Sequence, residues 1–564
     1  MTADVAELHD RFWPAGVTRN LGPLPRSLSE ALRNTAARRG DAMAIGFYGA
    51  SVSYRALLEQ VERLAAFLQH ACGVSKGDRV LLDMQNSPQF VIAFQAVVRA
   101  GAAVVPINPM STAGELSYLA TDSGARVAIV GAELLDRFAA LMPDPLRHVI
   151  AAAYGDALPD TRQFRLPAVI DGSRLPDRLH AGIVGWRDAC AETRAPLPDD
   201  TGPDDLCVMP YTSGTTGKPK ACIHTHASVL HTAILQARWY GAGDGTVLTA
   251  FMPLFHVAGM QFSLNGSLVS GAAMVIMTRW DRDLIPSLFK SYGVTMWSAA
   301  PTMVVDALAA PGFDASAFDT LNVVTGGGAK MPAAVAEELL RRWGLRYIEG
   351  YGMSETISPT HINPPDRPKP QCLGIPVHDT IARVIDPETL DEVETGAIGE
   401  IIVSGPQLMR GYWNRPEANA EVFLEREGRR FLRTGDLGRV DEDGYFHMVD
   451  RLKRMISVSG FKVWPAECEA VLYGHPAIQE CCVIAAPDDH RGETVKALIV
   501  RRPGMELDAD GLMSWARERM AAYKAPRAVA FVDNLPRSAS NKVDWRALQA
   551  VEWATREQGD PRSV

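Results

Sequence analysis

Three short runs in the first quarter of the chain are apolar through their centres rather than at alternate positions: Arg79-Val-Leu-Leu-Asp83, Ala103-Val-Val-Pro-Ile107 and Val127-Ala-Ile-Val130. A strand apolar on both sides must be covered on both, and the usual solution is a parallel sheet with helices on each face. The segments between these runs have helical spacing. Leu57, Leu58, Val61, Leu64, Ala65 and Leu68 fall on one face of residues 54–72, and a second helix is expected over 88–100. A second alternating set follows, with strands near 247–252, 273–277 and 321–325. Helix and strand in turn, twice over, predict an α/β fold of doubly wound sheets.

From residue 373 to 403 the texture changes to short strands and turns, such as Ile381-Ala-Arg-Val-Ile385 and Gly399-Glu-Ile-Ile-Val403, which indicates a β-rich subdomain. The last hundred or so residues read β-α-β-β-α-β, and residues 154–201, rich in Asp, Pro, Arg and Gly, read as an irregular excursion. A chain of 564 residues exceeds what one hydrophobic core supports. We therefore expect a large N-terminal domain over 1–450, a hinge at 451–455 where charges cluster (D-R-L-K-R), and a small mobile α+β C-terminal lid over 456–564.

Composition narrows the function classes. A net charge of −9 argues against a general nucleic-acid binder, because no basic excess exists to neutralise phosphate backbones. Eight cysteines without a C-x-x-C pair suggest neither a zinc site nor a disulfide framework, and fit reduced thiols in a cytoplasmic protein. The N-terminus is acidic and lacks the basic-then-apolar build of a signal peptide. The most apolar stretch, 91–107, is broken by Gln95, Arg99 and Gly101 and falls short of the ~20 apolar residues a span needs. No integral membrane segment is expected; peripheral contact with a membrane and assembly as a homodimer are both left open.

The decapeptide Y-T-S-G-T-T-G-K-P-K, from Tyr211 to Lys220, lies between an apolar run and a helical pattern that begins after His226. Its glycines let backbone N–H groups approach a ligand, and its hydroxyl and ammonium groups supply donors for phosphate oxygens. A mobile surface loop is the bland alternative, and ten residues of this make-up argue against it. The Walker A pattern fails at two positions: Thr212 stands five before Gly217 where Gly is needed, and Pro219 follows Lys218 where Ser or Thr is needed. If this loop holds nucleotide phosphates, partner residues should follow. Thr325-Gly-Gly-Gly-Ala329 offers bare backbone for a flat base. Tyr351-Gly-Met-Ser-Glu-Thr356 offers a ring, hydroxyls and a carboxylate for Mg²⁺. Thr434-Gly-Asp436 supplies a bidentate acceptor for two ribose hydroxyls, with Arg451 fifteen residues on. Lys542 sits on a Ser-rich loop, P-R-S-A-S-N-K. Each alone is also an ordinary turn or surface residue.

Taken together and in this order, the motifs resemble the adenylate-forming superfamily of acyl-CoA synthetases, firefly luciferase and nonribosomal-peptide adenylation domains. The resemblance spans all but the first thirty or so residues and 154–201, and it is greatest to bacterial medium- and long-chain fatty-acyl-CoA ligases. It implies that Thr212, Ser213, Gly214, Thr215, Thr216, Gly217, Lys218 and Lys220 cradle ATP phosphates, with Thr215 and Glu355 on Mg²⁺. It implies that Gly326, Gly327, Gly328, Ala329 and Tyr351 flank adenine, that Gly352, Met353, Ser354, Glu355 and Thr356 continue the nucleotide site, and that Asp436 and Arg451 bind ribose. Lys542, Glu355 and Thr215 would be the catalytic groups, Lys453 the hinge, and Ser459, Gly460 and Phe461 the contact to coenzyme A, the co-substrate. His256, Val257, Met260 and Gly328 would border the acyl pocket.

Two positions depart from the family: Asn541 stands where Gly usually precedes the lysine, and Ser457 where luciferase-like members have Lys. The small and apolar residues near His256 (Met260, Phe262, Leu264, Gly266, Val269) offer nothing to fix an amino group or a second carboxylate. The implied reaction is ATP-dependent conversion of a fatty acid, through an acyl-adenylate, to acyl-CoA, AMP and pyrophosphate. The alternatives are an aryl- or cinnamoyl-CoA ligase, an acyl-AMP ligase that loads a carrier protein, and a nucleotide-binding relative without catalysis.

Overall fold

The computed structural model describes residues 9–158, 163–212, 218–310, 315–458, 461–488, 491–537 and 543–557. Among these, the continuous apolar runs form the centre of a seven-stranded sheet. Its order is His224–Thr225, Leu206–Val208, Ala103–Pro106, Arg79–Asp83, Val127–Gly131, His148–Ala152, Ile183–Gly185. All neighbours run parallel except the first pair. A nine-stranded sheet carries the second alternating set. Val247–Ala250, Ala273–Ile276, Met296–Ser298, Val323–Gly327 and Tyr347–Met353 are its parallel centre, and Ser358–Ile362 turns back antiparallel at one side.

The helix Pro88–Arg99 and the strand Ala103–Pro106 account for the apolar stretch 91–107. Ser87 Oγ caps the helix, and all of its residues are buried. A helix apolar on every side belongs inside a protein. It packs against the helix Tyr54–His70 in a core that includes residues of both sheets. Each fully buried Val, Ile or Phe there contributes about 1.5–3 kcal/mol. Its polar side chains find partners for their donors: Arg99 meets Glu62 at 3.0 Å, Gln89 donates to the Ala153 carbonyl at 3.1 Å, and Gln95 donates to Asn265 at 3.4 Å. Among the described residues, no helix is long and apolar enough to cross a membrane.

The β-rich subdomain is an antiparallel sheet of Ile381–Ile385, Gly399–Ser404, Phe423–Arg426, Arg429–Val440 and Phe446–Arg451. A 3₁₀ turn, Leu452–Arg454, leads from it into the last sheet. That sheet is built from Ile456–Val458, Phe461–Val463, Ile478–Asp488, Gly492–Arg501 and Ala528–Phe531 and carries the helices Pro465–Leu472, Ala509–Arg517 and Trp545–Glu557. The β-α-β-β-α-β outline is therefore extended by a hairpin at the start and a helix at the end. Two further differences concern short pieces. The central strand Met296–Ser298 is too short to show a period, and the excursion over 154–201 contributes the edge strand Ile183–Gly185.

Candidate functional site

The register of one hairpin places two predicted residues opposite each other. Asp436 on Arg429–Val440 pairs with Arg451 on Phe446–Arg451, so fifteen residues of sequence become one antiparallel step. Arg451 Nε lies 3.0 Å from one Asp436 oxygen, and the Tyr351 hydroxyl donates to the other at 2.6 Å. Asp436 is 2% exposed. Gly435 before it has φ +69°, a left-handed conformation that favours glycine. The Thr434 hydroxyl donates to the Ile401 carbonyl at 2.6 Å and accepts the Asp436 N–H at 3.0 Å. The carboxylate is thus held from its own backbone, from the facing strand and from Tyr351 of the parallel sheet.

Four residues beyond Tyr351, Glu355 sits in the 3₁₀ turn Ser354–Thr356 that ends the Tyr347–Met353 strand. The Tyr412 hydroxyl donates to its carboxylate at 2.7 Å, and the Met409 N–H donates to its carbonyl at 2.8 Å. Burial pushes the Glu355 carboxyl up, and nearby Asp436 adds to this; the Tyr412 hydrogen bond and the charge of Arg451 work the other way. Lys220 Nζ lies 5.1 Å from the centre of the Tyr412 ring, a cation–π contact. His224, fully buried, hydrogen-bonds the Ser354 carbonyl through Nε2 at 2.7 Å, and burial lowers its pKa to about 4. A neutral imidazole therefore ties the strand after the phosphate loop to the turn that carries Glu355. Thr356 is buried and donates to the Ser358 carbonyl at 2.8 Å, while Gly352 packs so closely on Ser358 that a Cβ would stand 2.5 Å from its carbonyl oxygen. Met353 lies against the core of the β-rich subdomain.

Of the phosphate loop, Ser213, Gly214, Thr215, Thr216 and Gly217 lie outside the described residues; its two stems are described. Thr212 pairs with Lys220, and Tyr211 with Ala221, in a two-stranded ladder. Lys218 Nζ lies 5.2 Å from the Tyr118 ring centre, and the Tyr118 hydroxyl donates to the Pro219 carbonyl at 2.9 Å. The Tyr211 hydroxyl donates to Asp122 at 2.8 Å, and Arg415 donates to the same carboxylate at 2.5 Å. The strand after the loop is bound to 410–413 by three backbone hydrogen bonds: Arg410 N–H to Ile223, Ile223 N–H to Gly411, and Trp413 N–H to Ala221. One segment, 409–415, therefore contacts Glu355, the loop stem and the anchor of Tyr211.

The glycines of 326–328 divide their roles. A Cβ on Gly326 would stand 2.0 Å from the Ala299 carbonyl oxygen, and one on Gly327 2.2 Å from that of Gly350, so both are required for close strand packing. Only Gly328, at φ +81°, has open space beside it; Ala329 is exposed next to it. His256 is exposed at the start of the helix Val257–Gly259, where its Nδ1 accepts the Ala258 N–H at 3.3 Å, while Val257 and Met260 are buried. A π-helical turn, Met260–Asn265, follows. Phe262 of this turn and Tyr240 meet edge to face at 5.5 Å. They close a mostly apolar pocket with Gln236, Ala237, Leu248 and Gly266 that leaves no room for a water molecule. The Tyr240 hydroxyl is 2.7 Å from the Thr325 hydroxyl, next to Gly326.

Lys453 lies in the 3₁₀ turn, and Phe461 is 58% exposed, its ring stacked on Tyr523 at 5.0 Å. Lys542, Asn541, Ser459 and Gly460 lie outside the described residues. Sequence reasoning missed Tyr412, His224 and the Tyr118–Asp122–Arg415 anchor. The H-T-H run after the loop was the one visible signal for His224; Tyr412 is 57 residues from Glu355 and has none.

A family model described as AMP-binding enzyme matches residues 32–413, and one described as AMP-binding enzyme C-terminal domain matches 467–542. The long-chain-fatty-acid–CoA ligase of Bacillus subtilis (strain 168) is 35% identical over 542 residues, covering 94% of this chain and 95% of the relative. The feruloyl-CoA synthase of an Amycolatopsis species is 36% identical over 509 residues, covering 89% and 94%. Among solved structures, ATP-bound MatB from Rhodopseudomonas palustris matches with a TM-score of 0.82 at 28% identity, covering 95% of this chain and 99% of that one. Mycobacterium tuberculosis fatty acyl CoA synthetase matches with a TM-score of 0.71 at 27% identity, covering 94% and 99%.

Proposed function

The chain belongs to the AMP-binding enzyme family, and on that premise we propose that it is an ATP-dependent acyl-CoA synthetase acting on a medium- or long-chain fatty acid. The observation that carries the nucleotide half is the joining of Asp436, Arg451 and Tyr351 in one hydrogen-bonded cluster, with Glu355 four residues beyond Tyr351. A carboxylate is a poor acyl donor because its leaving group is oxide. Attack of its oxygen on the α-phosphate of ATP releases pyrophosphate and converts that oxide into AMP, which the thiolate of coenzyme A then displaces. In this reading Asp436 and Arg451 take the ribose hydroxyls, Tyr351 flanks the base, and the loop 212–220 takes the β- and γ-phosphates.

Mg²⁺ suits the donors present. Glu355 offers a buried hard oxygen oriented by Tyr412, and Thr215 would add a hydroxyl. When bound, the ion neutralises phosphate oxygens, and its charge would favour the ionised form of a carboxyl that burial pushes up. Lys542 would place positive charge beside the α-phosphate, where the transition state concentrates negative charge. Rotation of 456–564 about Lys453 would withdraw it and bring Phe461 toward the thiol of coenzyme A. On this reading Lys542→Ala abolishes adenylation and leaves intact the formation of acyl-CoA from supplied acyl-adenylate. Equal loss of both halves contradicts the assignment. The eight free thiols fit a reducing cytoplasm.

The names of the relatives favour fatty acids first, and the feruloyl-CoA synthase favours an aryl acid as the second reading. The test is pyrophosphate release with Mg·ATP and a panel of short to long fatty acids, benzoate and a cinnamate, with and without coenzyme A. The reading predicts a maximum with a fatty acid and acyl-CoA only when coenzyme A is present. A maximum with the cinnamate moves the assignment to an aryl ligase. Pyrophosphate without thioester moves the acceptor to a carrier protein.

A further inference from the structure

Arg546 is the second residue of the helix Trp545–Glu557. Its Nε and Nη2 are buried and have no hydrogen-bond partner among the described residues. Its guanidinium lies 4.6 Å from the Trp545 ring centre, and Arg454 of the 3₁₀ turn lies 5.7 Å from the same ring. These two contacts on one ring place Arg546 beside the 3₁₀ turn without supplying an acceptor. Its surroundings are cationic: burial and the charge of Arg451 are the leading causes that lower its pKa, Arg454 adds to them, and Asp544 opposes. Lys453 in turn senses both Lys220 and Arg546. Arg451, Arg546, Lys453 and Lys220 therefore bear on one region, which runs from Asp436 to the stem of the phosphate loop.

No carboxylate among the described residues forms an ion pair with Arg546. Asp436 is held by Arg451 and Tyr351, Glu469 by Arg454, and Asp544 accepts the Ala547 N–H at 3.1 Å. A buried guanidinium edge without an acceptor costs free energy, and like charges around it add to the cost. A bound anion removes both penalties. We propose that Arg546 is a further nucleotide-binding residue, whose guanidinium takes an oxygen of the phosphate attached to the ribose that Asp436 and Arg451 hold. The inference rests on the reading of Asp436 and Arg451 as the ribose clamp. The ribose-linked phosphate is common to ATP, AMP and the acyl-adenylate, and a planar guanidinium suits two of its oxygens. Arg451 closes the β-rich sheet and Arg546 belongs to the C-terminal helix, so the phosphate bridges two segments that otherwise repel.

The test compares AMP with adenosine, which differ by that phosphate, by titration calorimetry on the full chain. Arg546→Ala is predicted to weaken AMP at least tenfold and to leave adenosine unchanged, with Arg546→Lys recovering part of the loss. Unchanged AMP binding overturns the proposal. So does equal weakening of AMP and adenosine, which marks a structural role, and should Arg546→Ala not fold, the same comparison on Arg546→Lys and Arg546→Gln decides. Asp436→Asn separates the two readings, since it should weaken AMP and adenosine alike. If it weakens neither, the ribose assignment fails on its own account.

Discussion

Asp436 has three holds on its position, and none of them uses up its capacity as an acceptor: Arg451 on one oxygen, Tyr351 on the other, Thr434 on its backbone. Asp436→Asn keeps the shape and removes the charge, so Arg451 loses its partner and the ribose loses an anionic acceptor. The expected result is a rise in KM for ATP of about tenfold or more, the scale of one charge-assisted hydrogen bond, at little cost in Tm; an unchanged KM contradicts the role. Asp83 is a residue of another kind. It is 2% exposed, its Oδ1 has no hydrogen-bond partner among the described residues, and burial, helped by Glu133 and opposed by Arg137, pushes its carboxyl up to about 7. The folded state thus keeps a proton that the unfolded chain releases near pH ~4. Stability is lost as pH rises through that window, at up to about 1.4 kcal/mol per unit, and levels off above 7. Asp83→Asn does not titrate. Its Tm advantage over the wild type should grow from about pH 5 to 7 and then stay constant; an advantage independent of pH contradicts the assignment.

The elements differ in how openly the sequence announces them. Val104, Val105, Leu81 and Leu82 lie in strands covered on both faces, and that burial is written directly into composition. Met296–Ser298 is just as central, but three residues cannot display a period. The Asp436–Arg451 pair was readable as two candidates fifteen apart, and only the hairpin register joins them. Tyr412 on Glu355 and His224 on the Ser354 carbonyl were not readable, because each contact depends on how separate sheets meet. The π-helical turn Met260–Asn265 is likewise hidden, since its polar residues Gln261 and Asn265 hydrogen-bond each other at 3.2 Å inside the fold. That turn carries Phe262 against Tyr240, where the two rings help line a small, mostly apolar pocket. Phe262→Ala should therefore shift the acid-chain-length optimum upward by two carbons or more in a competition assay; an unchanged optimum places the end of the acyl pocket elsewhere.

At the scale of the whole molecule, the site is assembled from segments that no single sheet owns. The 409–415 segment contacts Glu355 and the phosphate-loop stem, the β-rich sheet supplies Asp436 and Arg451, and one 3₁₀ turn leads on to the C-terminal sheet. That turn is firmly tied on the C-terminal side: Arg454 meets Glu469 at 2.5 Å, and Asp450 accepts the Ala466 N–H at 2.7 Å. If 456–564 rotates about Lys453 as proposed, the Asp450–Ala466 hydrogen bond, which reaches across that position, has to break. Domain rotation matters only if the reaction has two halves joined by an acyl-adenylate, and that intermediate is the centre of the account. Supplying the fatty acid with both carboxylate oxygens labelled as ¹⁸O tests it directly, by mass spectrometry of the AMP formed with Mg·ATP and coenzyme A. Attack of the carboxylate on the α-phosphate predicts one ¹⁸O atom in each AMP and none in pyrophosphate; unlabelled AMP would contradict the adenylate and the roles assigned around it.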